Sequence, residues 1–282
     1  MKVSLISVPY DQVELGRGVG LAPSIVFQAG LLARLQAVGI ETVLQTALQG
    51  EIPPGDPASR FGVLAGRVAQ QVAQACREGA LPVILGGDCM AGVGAAAGLQ
   101  RAFGAKPFGI AWMDAHGDFN TPEISLSGFI PGMPLACICG HGLDALRTAA
   151  ALTPVDPAAV IMLGVRDLDP AEKDLLDSTP ISYLDPAEVQ AGRTQTAAGY
   201  HFQNVERVYL HLDIDALDPA FAPGVDFPSQ DGITPEDAVT AGRAVQQAAP
   251  LAALSVTAFN PEKDVDGKMA ALVVELIAEI LA

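Results

Sequence analysis

Short apolar runs alternate with alanine-rich stretches along the whole chain, and this alternation limits the fold more than any other feature of its 282 residues. Residues 3–8, 82–85, 108–113, 160–165, 208–212 and 254–257 read as strands. Helices are expected at 23–38, 59–78, 90–103, 235–248 and 267–281. Strands apolar on both faces and interleaved with helices describe an α/β fold, with a parallel sheet covered on each side. Sites in such folds collect at the carboxyl ends of the strands. The length is at the upper end for one domain. Residues 51–58 read as a Pro/Gly loop rather than a linker, so 1–282 is expected to form a single domain.

Two acidic clusters sit directly behind such runs. Asp114-Ala115-His116-Gly117-Asp118 follows 108–113, and Asp213-Ile214-Asp215, with Asp218 beyond, follows 208–212. Side chains of an extended chain alternate faces, so Asp114, His116 and Asp118 can point one way, and so can Asp213 and Asp215. Four carboxylates and an imidazole at shared strand ends would repel one another unless cations sat among them. That donor set suits Mn²⁺ or similar ions better than a thiolate cage does, and it reads as a paired metal site. Asp-rich strand ends also occur as solvated turns, and Asp218-Pro219 is turn-like in its own right. Two clusters of matching form, both closing buried-looking strands, favour the metal.

A net charge of −16 argues against nucleic acid and anionic membrane as partners and is compatible with steering a cationic small molecule inward. No run approaches the ~20 apolar residues of a membrane span. The start, Met1-Lys2-Val3-Ser4-Leu5-Ile6-Ser7-Val8, lacks the longer apolar core and cleavage site of a signal peptide. Cys76, Cys89, Cys137 and Cys139 give no disulfide framework in a chain this long, and the expected location is cytoplasmic.

Gly86-Gly87-Asp88, the 114–118 cluster and Asp213-Ile214-Asp215-Ala216-Leu217-Asp218-Pro219 together resemble the signature blocks of the ureohydrolases, the arginase and agmatinase family. Gly18-Val19-Gly20-Leu21-Ala22-Pro23 resembles that family's N-terminal loop, and Arg166-Asp167-Leu168-Asp169-Pro170-Ala171-Glu172 resembles an arginase segment. The resemblance spans nearly the whole chain. It implies a three-layer α/β/α fold with a central, mostly parallel sheet, assembled as a homo-trimer or hexamer. It also implies two Mn²⁺ ions sharing a hydroxide. Asp114, His116, Asp213 and Asp215 would make one site, and Asp114 and Asp213 would bridge to a second that also uses Asp118. Metal-bound hydroxide, formed near neutral pH, would cleave a C–N bond of a linear amidine or guanidine while Asp118 holds and relays the proton. Asn120, Ser127 and Asp169 match arginase positions that contact α-carboxylate and α-amino groups. An amino-acid-like substrate is implied, arginine by default.

Three positions depart from that family pattern. Cys89 stands where the family places a metal-binding His. A thiolate there would shift preference towards Zn²⁺ or Fe²⁺, whereas a thiol packed as a small hydrophobe would leave the second ion weak or absent. Pro131 replaces the presumed proton-shuttle His; His141 is a nearby substitute or a solvated loop residue. Ala258 replaces the Glu that grips a guanidinium, with Glu262 four residues on, so a charge-assisted contact is lost. His211, two residues before Asp213, should face the same side about 7 Å deeper. It reads as a compensating ligand, a partner to one, or a satisfied core histidine. The losses leave a second functional reading, a catalytically weak or inactive relative acting as a subunit or regulatory partner. A third, an amide deacetylase on a related fold, fits the Asp169 segment less well.

Overall fold

Eight strands form one sheet among the described residues, and every neighbouring pair in it runs parallel. The computed structural model describes residues 1–104 and 106–282, the side chain of Leu44 excepted. The strands are β1 (Lys2–Ser7), β2 (Glu41–Ala47), β3 (Leu81–Leu85), β4 (Phe108–Met113), β5 (Val160–Leu163), β6 (Ser182–Leu184), β7 (Arg207–Asp213) and β8 (Leu251–Thr257). Their order across the sheet is β2-β1-β3-β8-β7-β4-β5-β6.

Successive residues of one strand enter opposite cores. Ala111 and Met113 of β4 pack with Leu210 and Leu212 of β7, whereas Ile110 and Trp112 pack with Tyr209 on the other face. Both faces are dry, which is why the strands read as nearly unbroken apolar runs. Helices Ala22–Gln28, Leu31–Ala37, Pro235–Ala248 and Lys268–Leu281 close the first core; Pro57–Arg77 and Ala91–Phe103 close the second. The result is the three-layer α/β/α arrangement. Pro57–Arg77 starts where Pro57 occupies its first position and Asp56 accepts a hydrogen bond from Ser59 N at 3.0 Å. It lies close against Ala91–Phe103 because Gly94 and Gly98 face it. A Cβ on Gly94 would come 2.5 Å from Val68 Cβ, and one on Gly98 2.6 Å from Val72 Cβ.

The expected helix at 23–38 is two helices. Gly30 takes φ +99°, where a left-handed turn needs glycine, and the segments on either side are bent by 50°. Edge strands β2 and β6 were not anticipated, nor were short helices such as Pro134–Cys139 and Pro170–Asp177. No single helix among the described residues is long and apolar enough to cross a membrane.

The chain lays down β1, β2 and β3, crosses to β4, and returns later to insert β7 and β8 between β3 and β4. The carboxyl ends of β3, β4, β7 and β8 are therefore neighbours. The segments after them, 86–90, 114–118, 214–218 and 258–260, open at one edge of the sheet, at the topological switch point.

Candidate metal centre and active site

The side chains of Asp114, Asp213 and Asp215 are each held by a backbone donor, joined at Asp114 by an indole. Asp114 leaves β4 with its amide on Leu163 O (3.0 Å); its Oδ2 accepts from Trp112 Nε1 (3.1 Å) and its Oδ1 from His116 N (2.7 Å). Asp213 Oδ1 accepts from Asp215 N (2.8 Å), and Asp213 Oδ2 receives the Cys89 thiol at 2.7 Å. Asp215 Oδ1 accepts from Ala115 N at 3.3 Å, which ties the β7 loop to the β4 loop. His116 Nδ1 lies 3.4 Å from Asp114 Oδ1 and 3.3 Å from Asp215 Oδ2. Asp118 takes φ +47°, and its carbonyl accepts from Leu135 N and Ala136 N, where the helix Pro134–Cys139 begins. The convergence is not the strand alternation expected from the sequence. Residues Ile214–Ala216 form a 3₁₀ turn, and it is this turn, clamped by Asp213, that brings Asp215 alongside.

Burial first, then mutual repulsion, raises the carboxyl pKa values of Asp114, Asp118 and Asp213. Burial and the neighbouring carboxylates likewise push the Cys89 thiol up. For His116 burial opposes protonation, but its contacts with Asp114 and Asp215 carry it up to about 12. Burial takes His211 down to about 3, a neutral imidazole.

The charge of this cluster fits bound cations. Arg166 lies close by, but its donors go to the carbonyls of Gly164, Asp215, Ala216, Leu217, Ser229 and Gln230. Among the described residues, Asp118 Oδ2 is buried with no hydrogen-bond partner. Two groups offer donor atoms within 4.8 Å of one another, Cys89–Asp114–His211–Asp213 and Asp114–His116–Asp215, and they share Asp114. Oxygen and nitrogen dominate both, as hard or borderline divalent ions require.

The centre forms the floor of a cleft of about 900 Å³. Asn120, Ser127 and Asp169 line its wall, with Asn120 Nδ2 donating to Asp169 Oδ2 at 3.2 Å. Pro131 and Ala258 line it too; Ala258 sits at φ +64° with its amide on Gly87 O (2.8 Å). His141 is not among the lining residues: its ring packs on Phe119, 5.5 Å between centroids. Glu262 is exposed and also outside the lining. Two acidic wall residues were missed from the sequence, Asp11 and Asp226. Asp11 lies four residues beyond β1, in a short separate strand with Tyr10, and so lacks the strand-end placement that marks Asp114. Asp226 lies in an irregular segment and gave no signal either.

Glu172, the last residue of the 166–172 motif, anchors the wall. It is buried, with Oε1 accepting from Phe119 N (2.9 Å) and Oε2 from Asp169 N (3.1 Å). A Glu172→Gln variant can satisfy one of these amides but not both. It is expected to lose about 1–3 kcal/mol, read by chemical denaturation, with faster amide exchange at Phe119 or Asp169.

Fold and donor sets define an α/β protein with a carboxylate-rich candidate metal centre at the sheet's switch point. The model of the Arginase family matches residues 1–282. Arginase of Bacillus caldovelox is 33% identical, over 99% of this chain and 97% of its own. The crystal structure of arginase from Bacillus cereus superposes with a TM-score of 0.89 at 29% identity, covering 100% of this chain and 99% of that one. The agmatine ureohydrolase of Thermoplasma volcanium, at 21% identity and TM-score 0.72 over 99% and 88% of the two chains, shares the fold. The chain belongs to the arginase family and is a metal-dependent ureohydrolase acting on a small molecule. None of these similarities supports the regulatory-relative reading.

Proposed function

We propose that the chain hydrolyses a C–N bond in a linear amidine or guanidine carried on an amino-acid-like molecule, at a centre of two divalent cations. What supports this most is that two donor groups share the buried Asp114 and reach, through Cys89, His116, Asp213 and Asp215, the floor of a cleft whose wall carries the Asn120–Asp169 pair. Asp114, His116, Asp213 and Asp215 would hold one ion, with the oxygen and nitrogen donors that suit Mn²⁺; Asp118 and Cys89 flank the second position. The bound ions would supply Lewis-acid chemistry, making water acidic enough to ionise near neutral pH.

The protein's own groups would do the rest. Asp169 accepts from the substrate ammonium while Asn120 and Ser127 donate to its carboxylate, which sets the amidine carbon over the centre. Asp118 Oδ2, without a protein partner, takes the proton released by attack and passes it to the leaving nitrogen. Phe129 and Phe227, 5.2 Å apart between ring centroids, narrow the mouth.

Ala258 itself brings no negative charge to the wall. Asn260 Nδ2 and Lys263 Nζ each hold Asp226 Oδ1 at 2.8 Å. A weakly cationic amidine therefore fits there better than a full guanidinium. Ala258→Glu is expected to raise kcat/KM for arginine about tenfold or more, since a hydrogen bond to a charged group contributes about 1.5–3 kcal/mol. The deciding assay is urea or ammonia release from arginine, guanidino acids and formimino compounds by the metal-loaded chain. No release from any of the three, with both ions bound, would end this reading. The trimer or hexamer belongs to the same proposal and is read by light scattering.

A further inference from the structure

We infer that the second position is a mixed sulfur–nitrogen–oxygen site, in which Cys89 Sγ and His211 Nε2 join Asp114 and Asp213 to bind a borderline-soft ion such as Zn²⁺ rather than Mn²⁺. The inference rests on the two-cation reading above and assigns that second ion its ligands.

The four donors reach one place from three strands. Cys89 comes from the segment after β3 and Asp114 from the end of β4. His211 and Asp213, two apart on β7, share a face of the sheet. Donor atoms of all four lie within 4.8 Å of one another, close enough for a small ion to draw them together. The thiol proton already sits between Cys89 Sγ and Asp213 Oδ2, 2.7 Å apart, on the line an ion would bridge. On binding, the S–H bond breaks, sulfur and oxygen bond the ion, and one proton goes to the buffer.

His211 is oriented as a ligand rather than merely packed. Its ring lies flat on Trp112, 3.6 Å between centroids and 7° between planes, a stack that restricts its rotation. Nδ1 faces two hydroxyls, Ser255 Oγ at 2.8 Å and Tyr209 OH at 3.1 Å. With the ring proton assigned to Nδ1, donating to those oxygens, the Nε2 lone pair points towards the strand end. There it meets Thr257 Oγ1 at 3.2 Å, and that hydroxyl is itself 3.3 Å from Cys89 Sγ. A hydrogen-bonded second nitrogen is what metal-bound imidazoles have. The same Trp112 also fixes Asp114 through its indole N–H. Thiolate and imidazole donors suit Zn²⁺, whereas Mn²⁺ lies lowest in the general affinity order. The Asp114–His116–Asp215 group contains no sulfur, so the two positions should prefer different ions.

Titration of the chelator-stripped full chain with Co²⁺ alone tests this. The wild type is expected to show a sulfur-to-cobalt charge-transfer band in the near ultraviolet. Cys89→His should lose the band, keep two ions and favour Mn²⁺. His211→Asn should keep the band, change the visible cobalt spectrum and weaken the sulfur-bound ion at least about tenfold. Should that variant not fold, X-ray absorption of the Zn²⁺-loaded wild type reads the same ligands: one sulfur at about 2.3 Å and two imidazoles per two ions.

Bound cobalt without the band would remove Cys89 from the site. Unchanged affinity and spectrum in His211→Asn, or a single imidazole by absorption, would make His211 a satisfied core residue. Either result overturns the inference. None of these readouts involves substrate. A silent substrate screen beside a clear sulfur band would sink the proposed reaction alone, and an active enzyme without the band would sink this site alone.

Discussion

An Asp213→Asn variant is expected to lose at least about three orders of magnitude in hydrolysis while its metal-free form melts higher than the wild type. The loss follows from the place proposed for Asp213, between both ions. Lewis-acid stabilisation amounts to several kcal/mol, and each 1.36 kcal/mol is a factor of ten in rate. The gain follows from charge. In the metal-free chain Asp213 is buried beside Asp114 and Asp215; the His116 imidazole faces those two, and among the described residues no arginine or lysine hydrogen-bonds to any of the three carboxylates. An amide of the same shape removes one of these repelling charges. Its oxygen still accepts from Asp215 N, and its nitrogen can donate to Cys89 Sγ, replacing the contacts seen at 2.8 and 2.7 Å. About 1 kcal/mol of relief would raise the melting temperature by roughly 2–4 °C. With saturating metal the order should invert, because ligand at about 1,000 times Kd stabilises the wild type by about 4 kcal/mol. Melting curves with chelator and with divalent salt check both halves. A variant less stable than the wild type in chelator would contradict the repulsion argument.

Gly87→Ala should be the most damaging small substitution in the chain. A Cβ at Gly87 would overlap the carbonyl oxygen of Tyr10 and lie 2.8 Å from its carbon and 3.5 Å from Gly20 Cα. All three are backbone atoms, so no side-chain rotation relieves the clash. Gly87 O also accepts the Ala258 amide at 2.8 Å, so movement passes from the β3 loop to the β8 loop. The expected cost is about 3 kcal/mol or more, a fall of roughly 6–12 °C in melting temperature. Cys89 lies two residues on and would shift with the turn, so metal affinity should fall too. Gly66→Ala is the control. A Cβ there meets nothing within 4 Å inside the helix Pro57–Arg77, and about 0.5–1 kcal/mol of stabilisation is expected.

What the sequence disclosed and what it concealed divide along physical lines. The central strands were readable because both their faces are dry, so burial alone fixes their composition. Glu41–Ala47, an edge strand with a largely exposed, polar-containing sequence, and the three-residue Ser182–Leu184 carry no such mark. The helix expected at 23–38 is interrupted because Gly30 takes a left-handed φ that ends the first segment. The acidic clusters announced themselves, since buried carboxylates gathered together need a partner. The path of Asp215, through a 3₁₀ turn, did not. Nor could the surroundings of His211 be read. Ser255 and Thr257 lie on β8, more than forty residues away, and meet the imidazole only once the sheet has formed. The same holds for Asp226, which reaches the cleft through Asn260 and Lys263.

The sheet's middle pair, β7 and β8, is made last. A nascent chain that has completed β6 has β3 and β4 in hand but nothing between them, and each offers an open edge to any passing strand. Asp213 and His211 arrive only with the filling of that gap. With those residues holding ions as proposed, ion capture would be a late event of biogenesis, and a truncated or stalled product would remain without its ions and prone to aggregate.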